Sequence, residues 1–138
     1  MNAKTATKRP SRAGEPARAP LAGRQPPLAR FRMRIMSGET VSVGPGKIAL
    51  LEAIRDTRSI TAAAKSIRMS YRRAWMLVDE LNAALKKPAV HSAKGGEHGG
   101  GSELTAVGES LVGVYRRIEE RATKACAEDI RALVKLVR

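Results

Sequence analysis

The chain has 138 residues, with 26 Lys and Arg against 13 Asp and Glu, for a formal net charge of +13. That length suits one small domain plus a tail, and a composition 43% hydrophobic but only 3% aromatic calls for an aliphatic core. No apolar run approaches the ~20 residues of a membrane span; the single cysteine, Cys126, excludes an intramolecular disulfide and a cysteine-rich zinc site and fits a reducing cytoplasm. The charge excess points to a polyanion, nucleic acid first and an anionic membrane second.

Charge and composition are uneven along the chain. Residues 1–30 hold seven basic residues against Glu15, together with five of the seven prolines and only two leucines. Such a segment buries too little surface to offset its ordering entropy, so 1–29 reads as a disordered basic tail. It is either an arm that tracks phosphates or a solvated leader; it lacks the apolar stretch of a secretory signal.

Residues 30–36 alternate, with Phe31, Met33 and Ile35 on one side and Arg32 and Arg34 on the other, the pattern of a half-buried strand. Residues 37–40 form a turn, and 41–43 a second short extended piece. Pro45 opens a helix from its first position, where the missing N–H costs nothing. Ile48, Leu50, Leu51, Ala53 and Ile54 supply its apolar side, and it should stop near Thr57 and Arg58. Gly44, Gly46 and Ala49 formally fit a dinucleotide-binding pattern, but no βαβ unit follows.

Ser59 is a good cap for a short second helix, whose Ile60, Ala63, Ala64 and Ile67 recur at helical spacing. Arg68 and Met69 break that pattern. Ser70 caps a third helix carrying Ala74, Leu77, Val78, Leu81 and Leu85 over four turns, with Pro88 as its stop. Helix, tight turn and longer helix make a helix-turn-helix. The small side chains of Ala62, Ala63 and Ala64 allow the two helices to cross closely.

Residues 89–92 and 102–104 read as two strands around a tip, Lys94-Gly95-Gly96-Glu97-His98-Gly99-Gly100-Gly101, which together form a wing. Thr105 then caps a last helical region, 105–138. Val107, Leu111, Val114, Ile118, Ala122, Cys126, Ile130, Leu133 and Val137 step by three or four along it. A helix that long outruns a small domain, so its stripe calls for a second copy, unless it breaks near 123–128.

The best functional candidate is the start of the third helix. Ser70, Tyr71, Arg72 and Arg73 occupy its first turn and Met76 the next, and a recognition helix reads bases from its N-terminal end. Arginine bonds guanine bidentately or holds a phosphate. Trp75 is either a core anchor or a base contact. Lys94, Gly95, Gly96 and His98 would bring the wing against the sugar-phosphate chain. His91, His98 and Cys126 are too few for a metal site, and no nucleophile, base and orienting group come together, so no catalytic residue is expected.

Residues 59–64 (Ser-Ile-Thr-Ala-Ala-Ala), 69–75 (Met-Ser-Tyr-Arg-Arg-Ala-Trp) and 79–82 (Asp-Glu-Leu-Asn), with the wing glycines and Leu104-Thr105 … Gly108, resemble the N-terminal DNA-binding domain of molybdate-responsive ModE-type regulators. The LysR-type regulators are a more distant likeness. The resemblance covers about 45–121. It implies a mainly α fold with a small β component, a winged helix-turn-helix (30–104) followed by a C-terminal dimerisation helix (105–138). It implies a cytoplasmic, nucleoid-associated homodimer on a palindromic operator in double-stranded DNA, repressing molybdate-uptake genes. By position, Ser70 to Arg73 would enter the major groove and Lys94 with the wing glycines would lie on the backbone. Full-length family members add a C-terminal molybdate-binding domain. This sequence has only helix after the wing, so no cofactor is expected in it, and molybdate sensing follows by analogy alone. A protein–protein adaptor or a non-specific nucleoid-like binder are the alternatives.

Overall fold

The computed structural model describes residue 23, residues 25–93 and residues 101–138. The expected disordered tail therefore lies largely outside the described residues, as do Lys94, Gly95, Gly96 and His98.

The ordered body opens with an antiparallel hairpin of β1 (Ile35–Ser37) and β2 (Thr40–Val43), turned at Gly38, whose φ of +62° favours glycine. Then come α1 (Pro45–Thr57), α2 (Ile60–Ser66) and α3 (Tyr71–Ala84), a second antiparallel hairpin of β3 (Val90–Ser92) and β4 (Ser102–Leu104), and two helices, α4 (Ala106–Ala125) and α5 (Ala127–Val134). No helix among the described residues is long and apolar enough to cross a membrane.

The core is aliphatic, as composition requires. Ile48, Leu50, Leu51 and Ile54 of α1 meet Ile60, Ala63 and Ala64 of α2, Ala74, Val78 and Leu81 of α3, and Val112 and Tyr115 of α4. Burying each large aliphatic side chain contributes about 1.5–3 kcal/mol. Ala63 is fully buried, which is why the helix crossing takes only a small side chain there.

Three expectations need correction. Strand β1 begins only at Ile35, and residues 31–34 have no regular structure. The carbonyl of Met33 instead accepts from the Tyr115 hydroxyl at 2.8 Å, so this stretch is held to α4 by a side chain rather than by a neighbouring strand. Of its alternating apolar residues only Met33 packs on the core; Phe31 and Ile35 are exposed. Helix α3 ends at Ala84, ahead of Pro88, because Leu85 turns extended and tucks its side chain against the core. The C-terminal region is two helices. The backbone leaves helical geometry at Cys126 (φ −100°, ψ 13°) and restarts at once, within the polar stretch that had been the alternative break. Leu133 thus lies on α5, apart from the α4 stripe, and no residue of α5 is buried. On α4, Val112 and Tyr115 are buried in the core and Leu111 packs partly against it.

Candidate nucleic-acid interface

The two helices of the helix-turn-helix begin with the same local device. Ser59 is extended and its Oγ accepts from the Ala62 N–H at 3.1 Å; Ser70 is extended and its Oγ accepts from the Arg73 N–H, also at 3.1 Å. The turn between them is a Schellman ending of α2. The Met69 N–H bonds the Ala64 carbonyl at 2.9 Å, the Arg68 N–H bonds the Lys65 carbonyl at 3.2 Å, and Arg68 is left-handed at φ +56°. Met69 closes the motif by packing on the core.

This geometry projects the first turn of α3 outward. Tyr71, Arg72, Arg73 and Met76 are exposed, while Ala74, Leu77, Val78 and Leu81 hold the opposite side in the core. Ser70 is exposed too, but its oxygen is engaged as the cap, which leaves its O–H as the group free to donate. Trp75 is half-buried against the core and meets Tyr71 edge to face, with ring centroids 6.1 Å apart. Of the two roles open to Trp75, the packing matches the anchor.

Electrostatics set this end of the molecule apart. A helix N-terminus carries partial positive charge, so acidic side chains normally settle in the first turn. Helices α4 and α5 follow that rule with Glu109 and with Glu128 and Asp129. Helices α1, α2 and α3 have no acidic residue there, and α3 carries two arginines instead. A surface that places cations against the positive end of a dipole is suited to an anion.

The root of the wing is tied to three helices. Asn82 of α3 accepts at Oδ1 from the Ala89 N–H (2.9 Å) and the Val90 N–H (3.2 Å), and its Nδ2 donates to the Val90 carbonyl at 3.2 Å. Thr105 donates its hydroxyl to the Pro88 carbonyl at 2.6 Å and its N–H to the Ala89 carbonyl at 2.9 Å, while its Oγ accepts from the Gly108 N–H as the cap of α4. Gly108 lies so close to the Ala89 carbonyl that no Cβ fits. On the far side, the Ser102 N–H donates to the Arg58 carbonyl at 3.0 Å. The spacing Leu-Thr-x-x-Gly thus has a physical cause: one residue caps α4 and holds the segment leading into β3, and the other lets the two backbones meet.

Sequence reasoning missed Asn82 as the joint between α3 and the wing. It also missed Lys47, buried at 7% exposure, whose Nζ donates to the Val41 carbonyl (2.7 Å) and the Ser42 carbonyl (3.3 Å) and pairs with Glu80 at 3.4 Å. A lysine beside Pro-Gly carries no signal of burial; only the folded hairpin supplies the carbonyls. Among the residues expected to pair two copies, Val107, Leu111 and Ala122 are half-covered and Val114 and Ile118 are exposed along α4. Among the described residues no group of three or more His, Cys, Asp or Glu could hold a metal.

Helix, tight turn, recognition-type helix and two-stranded wing define a winged helix-turn-helix. The chain is 33% identical over 117 residues to the molybdenum transport protein ModE of Azotobacter vinelandii (77% of this chain, 43% of that protein). It is 44% identical over 82 residues to the molybdenum-pterin-binding protein MopB of Rhodobacter capsulatus (59% and 30%), and 34% identical over 88 residues to the DNA-binding transcriptional dual regulator ModE of Escherichia coli K12 (62% and 34%). The chain is therefore similar to proteins named as ModE-type regulators, and it spans less than half the length of these relatives. No family model matches it. The DNA-binding domain of CbnR, solved with DNA, aligns over 64% of this chain and 95% of its own at 24% identity, with a TM-score of 0.49.

Proposed function

We propose that the protein is a sequence-selective, double-stranded-DNA-binding transcriptional regulator and not an enzyme. The observation that carries this reading is the exposed first turn of α3, where Tyr71, Arg72 and Arg73 extend from a helix end bare of acidic residues. Arg72 and Arg73 enter the major groove with Tyr71 and Met76, and the Ser70 hydroxyl donates to the nearby backbone. The wing, including Lys94, Gly95, Gly96 and His98, lies along the sugar-phosphate chain.

The protein works as a homodimer on a palindromic operator. Support comes from the stripe of α4, where Val107, Leu111, Val114, Ile118 and Ala122 line one side, with Val114 and Ile118 exposed and the others half-covered. A second copy laid along this stripe would cover Val114 and Ile118. Repression of molybdenum-related genes, and a cytoplasmic, nucleoid-associated location, follow from the ModE-type relatives.

The test is in vitro selection of duplexes by the full chain, followed by anisotropy titration of the selected duplex and a scrambled one. Tight binding to the selected duplex, abolished by Arg72→Ala with Arg73→Ala, is expected. Equal affinity for both duplexes would leave a non-specific binder driven by the basic tail. No binding to either would favour an adaptor whose arginine face docks an acidic protein.

A further inference from the structure

Two arginines sit where a helix ending ordinarily takes glycine. Arg58, after α1, and Arg68, after α2, are the described non-glycine residues with positive φ, each at +56°. An L-residue with a side chain meets a steric penalty in this region that glycine escapes. A glycine at either position would relieve this penalty, and the favourable place of a cation at a helix C-terminus offsets only part of it, which leaves an exposed guanidinium open to a partner outside the fold.

The positions are similar: Arg58 lies one residue before Ser59, the cap of α2, and Arg68 two residues before Ser70, the cap of α3. Both are exposed. Neither has a carboxylate partner among the described residues, whereas Arg55 pairs with Asp56, and Arg116 with Glu52 and Glu119. Arg58 also lines a cleft at the root of the wing together with His91 and Ser102. The two free guanidiniums thus bracket α2, one beside the wing and one beside the reading turn of α3.

We propose that Arg58 and Arg68 are DNA-backbone contacts, gripping phosphodiesters on either side of the groove that α3 enters. This rests on the DNA-binding reading above and adds to it a phosphate grip from the two turns. The contacts carry no base preference, and their cost is backbone strain in the free protein.

The experiment uses the full chain with a labelled mixed-sequence duplex over a salt series, comparing Arg58→Gly, Arg68→Gly, the double variant and the corresponding Lys variants. Each Gly variant should unfold at a higher urea concentration than the parent. Each should also bind about three- to tenfold more weakly, with a log–log salt slope shallower by about 0.9. The Lys variants should keep most of the parent's slope. Gly variants that gain stability yet bind with the parent's affinity and slope would overturn the proposal while leaving the DNA reading intact. A parent that binds no duplex at low salt would overturn the DNA reading itself, and this proposal with it.

Discussion

Gly108→Ala pits two effects of opposite sign against each other. Alanine is favoured over glycine inside a helix by about 1 kcal/mol, so propensity alone predicts a gain. At Gly108, however, the new Cβ would overlap the Ala89 carbonyl, lie 3.1 Å from its carbon and stand 3.3 Å from the Leu104 Cβ. Two of these obstacles are backbone atoms and cannot swing aside. Overpacking of this kind costs about 1–3 kcal/mol. Displacing the Ala89 carbonyl also weakens its bond from the Thr105 N–H, worth about 1 kcal/mol. The net expectation is a loss of about 1–3 kcal/mol. Gly113 on the same helix is the internal reference: a Cβ there meets only the Arg117 guanidinium at an ordinary 3.5 Å, so Gly113→Ala should gain about 0.5–1 kcal/mol. Urea unfolding followed by far-ultraviolet circular dichroism measures both. Shifts in the same direction for the two variants would refute the close approach of α4 to the wing root.

Three further outcomes follow from the packing. Ala63→Leu, at a fully buried position in the helix crossing, should cost about 1–3 kcal/mol; a melting curve like the parent's would mean the crossing is elsewhere. Asn82→Ala leaves the Ala89 and Val90 N–H groups without their acceptor and should cost about 2 kcal/mol, with faster amide exchange at both; Asn82→Asp keeps the acceptor and should retain most of that protection. Burial, then the nearby Glu119, pushes the Tyr115 hydroxyl above its ordinary value of 10.0. Its folded form is therefore protonated where the unfolded form is not. The stability it contributes is complete below pH about 10 and is lost as pH rises through the folded value. The parent should outlast Tyr115→Phe by about 1 kcal/mol at neutral pH, and that advantage should vanish in strong alkali; an advantage independent of pH would refute the role of the hydroxyl.

The helices were readable wherever a local signal coincided with the tertiary fold. Ser59, Ser70 and Thr105 cap as their side chains suggest, Pro45 starts α1, and the apolar spacing of α2 and α3 marks the core side. The turns were readable only in position. Arg58 and Arg68 carry no sign of left-handed backbone, because the residues that advertise it, glycine and asparagine, are absent there. The break at Cys126 was also faint: nothing from 114 to 138 is glycine or proline, and the interruption leaves the 3.6-residue pattern nearly intact. At the candidate site, Tyr71, Arg72 and Arg73 stood out by residue type, and the structure exposes all three. The wing's anchorage was not, since Asn82 and Lys47 acquire their partners only when distant backbone is brought to them.

The bond from the Tyr115 hydroxyl to the Met33 carbonyl joins residues 82 apart in sequence. Helices α1, α2 and α3 meet one another across short turns, so their mutual packing closes only small loops. Docking α4 beneath the leading segment closes a much larger one, and its entropic cost must be met before the contact stabilises anything. The three-helix unit is therefore the natural nucleus, with α4 and the residue 31–34 strap added afterwards. During refolding, exchange protection should reach Ile54 and Leu81 before it reaches Tyr115, and mutations along the strap should quicken unfolding while leaving the folding rate nearly untouched.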